Sequence, residues 1–71
     1  MKIVYDRETD TMTITLREDK IQESDEVRPG VIADLGYDGR IVRFEILDAS
    51  KVVSQPSAVA YEYQLLEGAR M

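Results

Sequence analysis

The sequence contains no cysteine, no histidine and no tryptophan. Without cysteine no disulfide can form, and without cysteine and histidine the usual ligands of a structural zinc site are missing. The same absence removes the commonest general base and the commonest soft nucleophile of enzymes. We therefore expect a protein that is not an enzyme, and we assign no catalytic, cofactor-binding or metal-binding residue.

Long hydrophobic runs and a basic charge excess are also missing. No stretch approaches the roughly 18 apolar residues of a membrane span, and residues 1–10 contain no apolar segment typical of a signal peptide. Nine basic against fourteen acidic residues give a net charge of −5, which disfavours direct binding to nucleic-acid phosphates. These features predict a soluble protein with no membrane or nucleic-acid partner, and the lack of cysteine fits the reducing cytoplasm.

The length of 71 residues predicts one domain, residues 1–71, with a thin hydrophobic core. Chains this small usually gain further stability from disulfides, a metal or another subunit. Because the first two are disfavoured here, we expect a homo-oligomer, with a dimer favoured.

Short apolar runs and an alternating segment at residues 11–16, separated by polar residues and turn formers, predict a mainly β (β-rich α+β) fold. We expect a small antiparallel sheet of about four to five strands. It comprises a strand around residues 3–5, a second at 11–16, a loop with a short edge strand in 17–28, and a hairpin from Val31 to Leu47. A short helical turn is expected near residues 48–54, with Asp48 as its cap and Ser50 in a capping role.

The hairpin carries the strongest local signal, because Asp38-Gly39 between two apolar runs is typical of a two-residue type I′ turn. That turn places Leu35 opposite Val42 and Asp34 opposite Arg43. One face then becomes wholly apolar, comprising Val31, Ala33, Leu35, Val42, Phe44 and Ile46. On the other face, the Asp34–Arg43 ion pair is expected to be exposed and to contribute about 0.2 to 1 kcal/mol.

The C-terminal segment allows two interpretations. Large apolar residues alternate with small or polar ones between Ala58 and Glu67, which favours a strand, although its alanine, glutamate, glutamine and leucine residues also suit a helix. We expect residues 59–66 to form part of a subunit interface, since tyrosine is enriched at such surfaces.

Residues 34–45 resemble a calcium-binding EF-hand loop, with acidic residues at positions 1, 5 and 12 and glycine at position 6. Positions 3 and 9 are Gly36 and Val42, however, so two oxygen ligands are missing. The hairpin explains Asp38 and Gly39 without a metal, and we expect no specific calcium binding.

Several short motifs follow one another along the chain: Tyr5-Asp6 followed by Glu8, the 12–16 strand, Glu26-Val27 with Pro29-Gly30-Val31, Asp38-Gly39-Arg40 and, most specifically, residues 45–50. Together these motifs resemble domain-of-unknown-function family 2283. The resemblance covers roughly residues 2–53. It implies a short, β-rich prokaryotic protein without assigned site residues, and some relatives are encoded beside small toxin-like proteins.

Two classes of function remain after these exclusions. The favoured one is a non-catalytic interaction module, either a homo-oligomer or an antitoxin-like, acidic partner of a small basic protein. The alternative is a small carboxylate-based hydrolase or metal-binding protein whose site is completed at a subunit interface.

Overall fold

The computed structural model describes residues 1–66 and contains one antiparallel sheet of five strands. In chain order the strands are β1 (Lys2–Asp6), β2 (Thr11–Thr15), β3 (Ile21–Arg28), β4 (Val31–Gly36) and β5 (Ile41–Ile46). They lie side by side in the order β1-β2-β5-β4-β3. Within residues 1–66 the only helical segment is a 3-10 turn at Ala49–Lys51. The predicted β-rich fold class is therefore confirmed.

The strand register separates the two faces of the sheet by polarity. One face carries two apolar rows that each cross four strands, and we call it the apolar face; its rows are Ile3–Ile14–Phe44–Ala33 and Tyr5–Met12–Ile46–Val31. The opposite face carries two rows that cross all five strands, and we call it the polar face; its rows are Lys2–Thr15–Arg43–Asp34–Ser24 and Val4–Thr13–Glu45–Ile32–Glu26. Alternation along each strand produces this division directly.

The β4–β5 hairpin is confirmed, but its turn differs from the predicted one. The Gly39 N–H donates to the Gly36 carbonyl at 3.0 Å, and the Gly36 N–H donates to the Arg40 carbonyl at 2.9 Å. Only Gly39 has a positive φ here, at 80°, so the loop is a three-residue turn with a glycine bulge instead of a type I′ turn. Leu35 consequently pairs with Ile41, and the predicted pairing of Leu35 with Val42 is wrong.

A second irregularity restores the predicted register further from the turn. Between the pairs Leu35–Ile41 and Asp34–Arg43, β5 advances two residues while β4 advances one. This bulge offsets the shift introduced by the turn, so Asp34 lies opposite Arg43 and Ala33 lies opposite Phe44 as predicted. The polar and apolar rows therefore agree with expectation everywhere except beside the loop.

Strand β3 is longer than the predicted short edge strand, because it spans eight residues, six of which have partners in β4. Two bulges interrupt this pairing, and seven of the eight side chains are exposed. Acidic side chains and bulges at an edge oppose pairing with other chains. The acidic stretch is thus a regular edge strand, and the expectation that most of residues 17–28 form a loop is corrected.

The structure corrects the predicted roles of Asp48 and Ser50. Asp48 adopts a left-handed conformation with φ 50° and makes no side-chain capping hydrogen bond. Ser50 instead donates its backbone N–H and its hydroxyl to the two carboxylate oxygens of Asp10, at 3.0 and 2.7 Å. This segment is therefore held by a long-range contact with the β1–β2 turn and not by a local helix cap.

The expected C-terminal strand is absent from the described residues. Residues 58–66 form neither strand nor helix, and all of them are exposed. Glu67, the last residue of the predicted strand, lies outside the described residues. Alternating apolarity was insufficient here because a strand also requires a neighbouring strand to pair with.

Candidate functional site

Asp34 is the most unusual residue of the polar face, because its side chain is fully buried in the middle of the sheet. The hydroxyl of Ser24 on β3 donates to Asp34 Oδ1 at 2.5 Å. Nε of Arg43 on β5 donates to Asp34 Oδ2 at 2.7 Å. Arg43 also approaches Glu45, with 3.7 Å between Nη2 and Oε2. The expectation that Asp34 and Arg43 form an exposed pair is therefore wrong for the carboxylate.

The two carboxyl groups of this network shift in opposite directions. Burial alone would raise the pKa of Asp34, but the hydrogen bonds from Ser24, Glu45 and Arg43 outweigh it and lower that pKa. The hydrogen bond to Asp34, followed by burial, raises the pKa of Glu45 above its ordinary value. These two directions favour the negative charge on Asp34, beside the Arg43 guanidinium, over the negative charge on Glu45.

This geometry suits a satisfied buried charge better than catalysis. Ser24 points its proton at Asp34, as a nucleophile points at its base, but a carboxylate with a lowered pKa is a weak proton acceptor. Arg43 occupies the position beside Asp34 where an activating cation or a substrate would have to bind. The network thus stabilises one carboxylate that the sheet has removed from water.

The EF-hand-like window is dispersed by the hairpin. Asp34 and Glu45 lie together on the polar face with Arg43 between their charges, whereas Asp38 lies in the turn. The Asp38 carboxylate accepts hydrogen bonds from Arg17 Nη2 at 2.8 Å and from the Arg40 backbone N–H at 2.9 Å, which lowers its pKa. Within residues 1–66 no three acidic side chains are grouped so that they could hold a metal ion.

A second polar cluster surrounds Asp10 at the opposite end of the sheet. Besides the two bonds from Ser50, Asp10 accepts the hydroxyl of Tyr5 at 2.7 Å. These bonds, first those of Ser50 and then that of Tyr5, lower the pKa of Asp10. The backbone of Asp10 is left-handed, with φ 54°, a conformation that aspartate tolerates better than most residues. The cluster joins β1, the β1–β2 turn and the 3-10 turn.

The apolar face is incompletely covered by the described residues. Of its eight side chains, only Met12 and Ala33 are buried. Ile14, Phe44 and Ile46, in the central strands, remain partly exposed, and Ile3 at the edge is 37% exposed. A sheet normally buries one face against another layer, which the described residues do not supply. This face is our candidate functional surface.

Sequence reasoning found the apolar face and the Asp34–Arg43 pair, but it missed the burial of Asp34 and the whole cluster around Asp10. An aspartate inside the apolar run 31–35 was a visible signal that Asp34 needed partners, and the register supplied Arg43. The hydrogen bond from Ser24 to Asp34 depends on the long β3 strand, which was not predicted because its sequence is mostly charged and polar. The role of Asp10 depends on contacts forty residues apart in the chain, for which the sequence contains no local signal.

Comparison with known proteins places this small, single-sheet β protein in a family. The family model described as "Protein of unknown function (DUF2283)" matches residues 2–50 of the 71-residue chain. The chain therefore belongs to this family, and the resemblance noted in its motifs is confirmed. The match includes all five strands and both polar clusters. No curated protein and no solved structure matched the chain.

The described residues also bear on membrane insertion. No helix between residues 1 and 66 combines the length and the apolar character needed to cross a membrane.

Proposed function

We propose that this protein is a non-catalytic interaction module that binds another polypeptide chain through the apolar face of its sheet. The incomplete burial of that face supports the proposal most directly. Two rows of apolar side chains cross four strands, yet the largest central members, Phe44, Ile46 and Ile14, remain partly in contact with water. Burying such a face against a partner is the ordinary way to complete a two-layer core.

A second copy of the chain is the favoured partner. A two-fold dimer would cover the apolar face of each chain with apolar surface of the other chain and so enlarge the thin core. The alternative partner is a small basic protein, as in an antitoxin-like complex, and the net charge of −5 favours it electrostatically. The acidic residues of β3 would then lie at the rim of the interface, where charge steers association more than it adds affinity.

Catalysis by carboxylates at a subunit interface is the second candidate, and the opposite pKa shifts of Asp34 and Glu45 are the observation in its favour. The direct hydrogen bond from Arg43 to Asp34 weighs against it. Under this candidate Glu45→Gln would abolish a measurable hydrolytic or metal-binding activity. Under the interaction proposal Glu45→Gln leaves partner binding unchanged, because Glu45 lies on the polar face.

Neighbouring residues of β1 provide a matched test of the interaction proposal. Ile3 and Val4 are comparably exposed, at 37% and 46%, but they lie on opposite faces of the sheet. We expect the wild-type protein to sediment as a dimer at micromolar concentration, with a melting temperature that rises with concentration. Ile3→Lys should dissociate this dimer, because it places a charge in the interface, and Val4→Lys should leave it intact.

Two results would contradict the interaction proposal. A wild-type monomer of about 8.1 kDa that unfolds cooperatively, at a temperature independent of concentration, would exclude the homodimer. Equal dissociation by Ile3→Lys and Val4→Lys would show that the apolar face is not the binding surface.

A further inference from the structure

We infer that residues 59–66, which we call the C-terminal arm, bind across the apolar face of a second copy of the chain. The inference rests on the proposed interaction through that face, and it names the occupant. In this arrangement each chain contributes an arm to its partner and receives one, so that both apolar faces are covered.

The arm exposes large apolar side chains that an isolated globular protein normally buries. Val59, Tyr61, Tyr63 and Leu65 are between 61% and 77% exposed, and Leu66 is 78% exposed. A patch of this size, with two aromatic side chains, is characteristic of a binding surface. The arm contains one charged side chain, that of Glu62, so it brings little charge repulsion to an encounter between two acidic chains.

The apolar residues of the arm lie at every second position, which suits an extended chain lying on a sheet. Nε2 of Gln64 donates to Oε1 of Glu62 at 3.0 Å, which shows that these intervening side chains lie on the same side of the backbone. Successive residues of an extended chain point in opposite directions. Tyr61, Tyr63 and Leu65 can therefore present one apolar edge while Glu62 and Gln64 face water.

The arm begins at the margin of the apolar face. Val59, Ala60 and Tyr61 line a shallow cavity of about 640 Å³ together with Met1 and Ile3, the edge residue of one apolar row. The tyrosine side chains remain largely exposed there, Tyr61 at 77% and Tyr63 at 74%. The five residues after Tyr61 span about 16 Å when extended, and four strands spaced about 4.8 Å apart span about 14 Å. The arm is thus long enough to cross the four strands of an apolar row in a neighbouring chain.

The area that would be buried matches the needs of a stable dimer. An aromatic side chain has roughly 200 Å² to bury, and a valine or leucine roughly 100 Å². At the observed exposures, Val59, Tyr61, Tyr63 and Leu65 together offer on the order of 400 Å² per arm. Two arms on two faces would remove about 1,600 Å² from water in total, which lies within the roughly 1,200–2,000 Å² of specific, stable interfaces.

The affinity of the dimer tests the arm without removing any of the sheet. We expect the double variant Tyr61→Ser with Tyr63→Ser to raise the dimer dissociation constant at least about 100-fold in sedimentation equilibrium, since buried tyrosines dominate interfaces of this kind. The matched control, Glu62→Ser with Gln64→Ser, alters the two intervening positions and should change it less than about threefold.

Cysteine cross-linking then distinguishes exchange between chains from folding back within one chain. The native sequence has no cysteine, so every bond formed is an introduced one. A chain carrying Tyr63→Cys is mixed with a chain carrying Ile14→Cys, which lies on the apolar face, and the mixture is mildly oxidised. Exchange predicts a mixed, covalent dimer of twice the chain mass that contains one copy of each variant.

Each other outcome overturns part of the argument. If a chain carrying both cysteines forms only an internal bond, or if the tyrosine variant dimerises as tightly as the wild type, the arm does not bind the partner, although dimerisation through the face still stands. If the wild-type chain is a monomer, both the inference and the homodimer on which it rests are wrong.

Discussion

Removing Arg43 should destabilise the protein far more than removing another arginine of the same sheet. Arg43 donates to the fully buried Asp34 carboxylate at 2.7 Å, and no other cation lies among the hydrogen-bond partners of Asp34 in the described part of the chain. Removing one partner of a buried pair costs about 3 to 5 kcal/mol. Because the Arg43 side chain is 36% exposed, water screens part of this interaction, and we expect Arg43→Ala to lower the free energy of unfolding by about 2 kcal/mol.

The pH dependence identifies the buried carboxylate as the cause. The lowered pKa of Asp34 stabilises the wild-type fold above the unfolded pKa of about 3.9, and this contribution is lost as the pH falls through the lower folded value. In Arg43→Ala, the folded pKa of Asp34 should be higher than in the wild type, because the hydrogen bond and the positive charge of Arg43 are lost. Protonation then relieves the destabilisation in acid. The difference between wild type and variant should therefore be largest near pH 7 and shrink as the pH falls towards 4.

Arg40→Ala is the matched control, since it removes the same charge from an exposed position on the same hairpin. Urea denaturation at one fixed protein concentration, repeated between pH 4 and pH 7, gives the required free energies. The control should change stability by less than about 0.5 kcal/mol at every pH. Equal losses for both variants at pH 7, or a loss for Arg43→Ala that does not vary with pH, would refute the buried ion pair.

Four further outcomes follow from the structure. Glu45→Gln should raise the melting temperature near pH 7. Because the pKa of Glu45 is raised in the folded protein, its contribution to stability declines as the pH rises from about 4.3 through the folded value. A lower melting temperature of the variant would contradict this. Phe44→Ala should cost about 3 kcal/mol in denaturant, the low end for such changes, because one chain buries Phe44 only partly. Asp10→Ala should lower the melting temperature more than Ser50→Ala, since it also releases Tyr5; the reverse order would show that the cluster is not centred on Asp10. Calorimetric titration with calcium should give no dissociation constant at or below about 10 µM, the range of calcium sensors.

Most of the strands of this protein could be predicted from its sequence. Strict alternation at residues 11–16 and the two apolar runs around Asp38-Gly39 predicted β2, β4 and β5, because side chains of a strand alternate between faces. The turn assumed at Asp38-Gly39 predicted the pairing of Asp34 with Arg43, and it placed Ala33 and Phe44 together on the apolar face. These are local or nearest-strand properties, so the sequence carries them directly.

The turn, the edge strand and the burial of Asp34 were decided by tertiary structure. A glycine-bulge loop and a compensating bulge in β5 produce the same register as the predicted type I′ turn, so the register alone could not identify the turn. Strand β3 pairs with β4 despite its charged side chains, and only that pairing places Ser24 opposite Asp34. Burial depends on neighbours on both sides of a strand, which an alternating pattern does not specify.

Residues 58–66 also show that an alternating pattern does not specify neighbours. Their alternation predicted a strand, but in the described chain they pair with no other strand. The sequence by itself determined a thin, two-faced sheet with a surplus of apolar surface. Only the tertiary structure decided where that surplus lies, on one face of the sheet and along the C-terminal arm. The physical reason is that pattern fixes which side chains share a face, whereas burial depends on what covers that face.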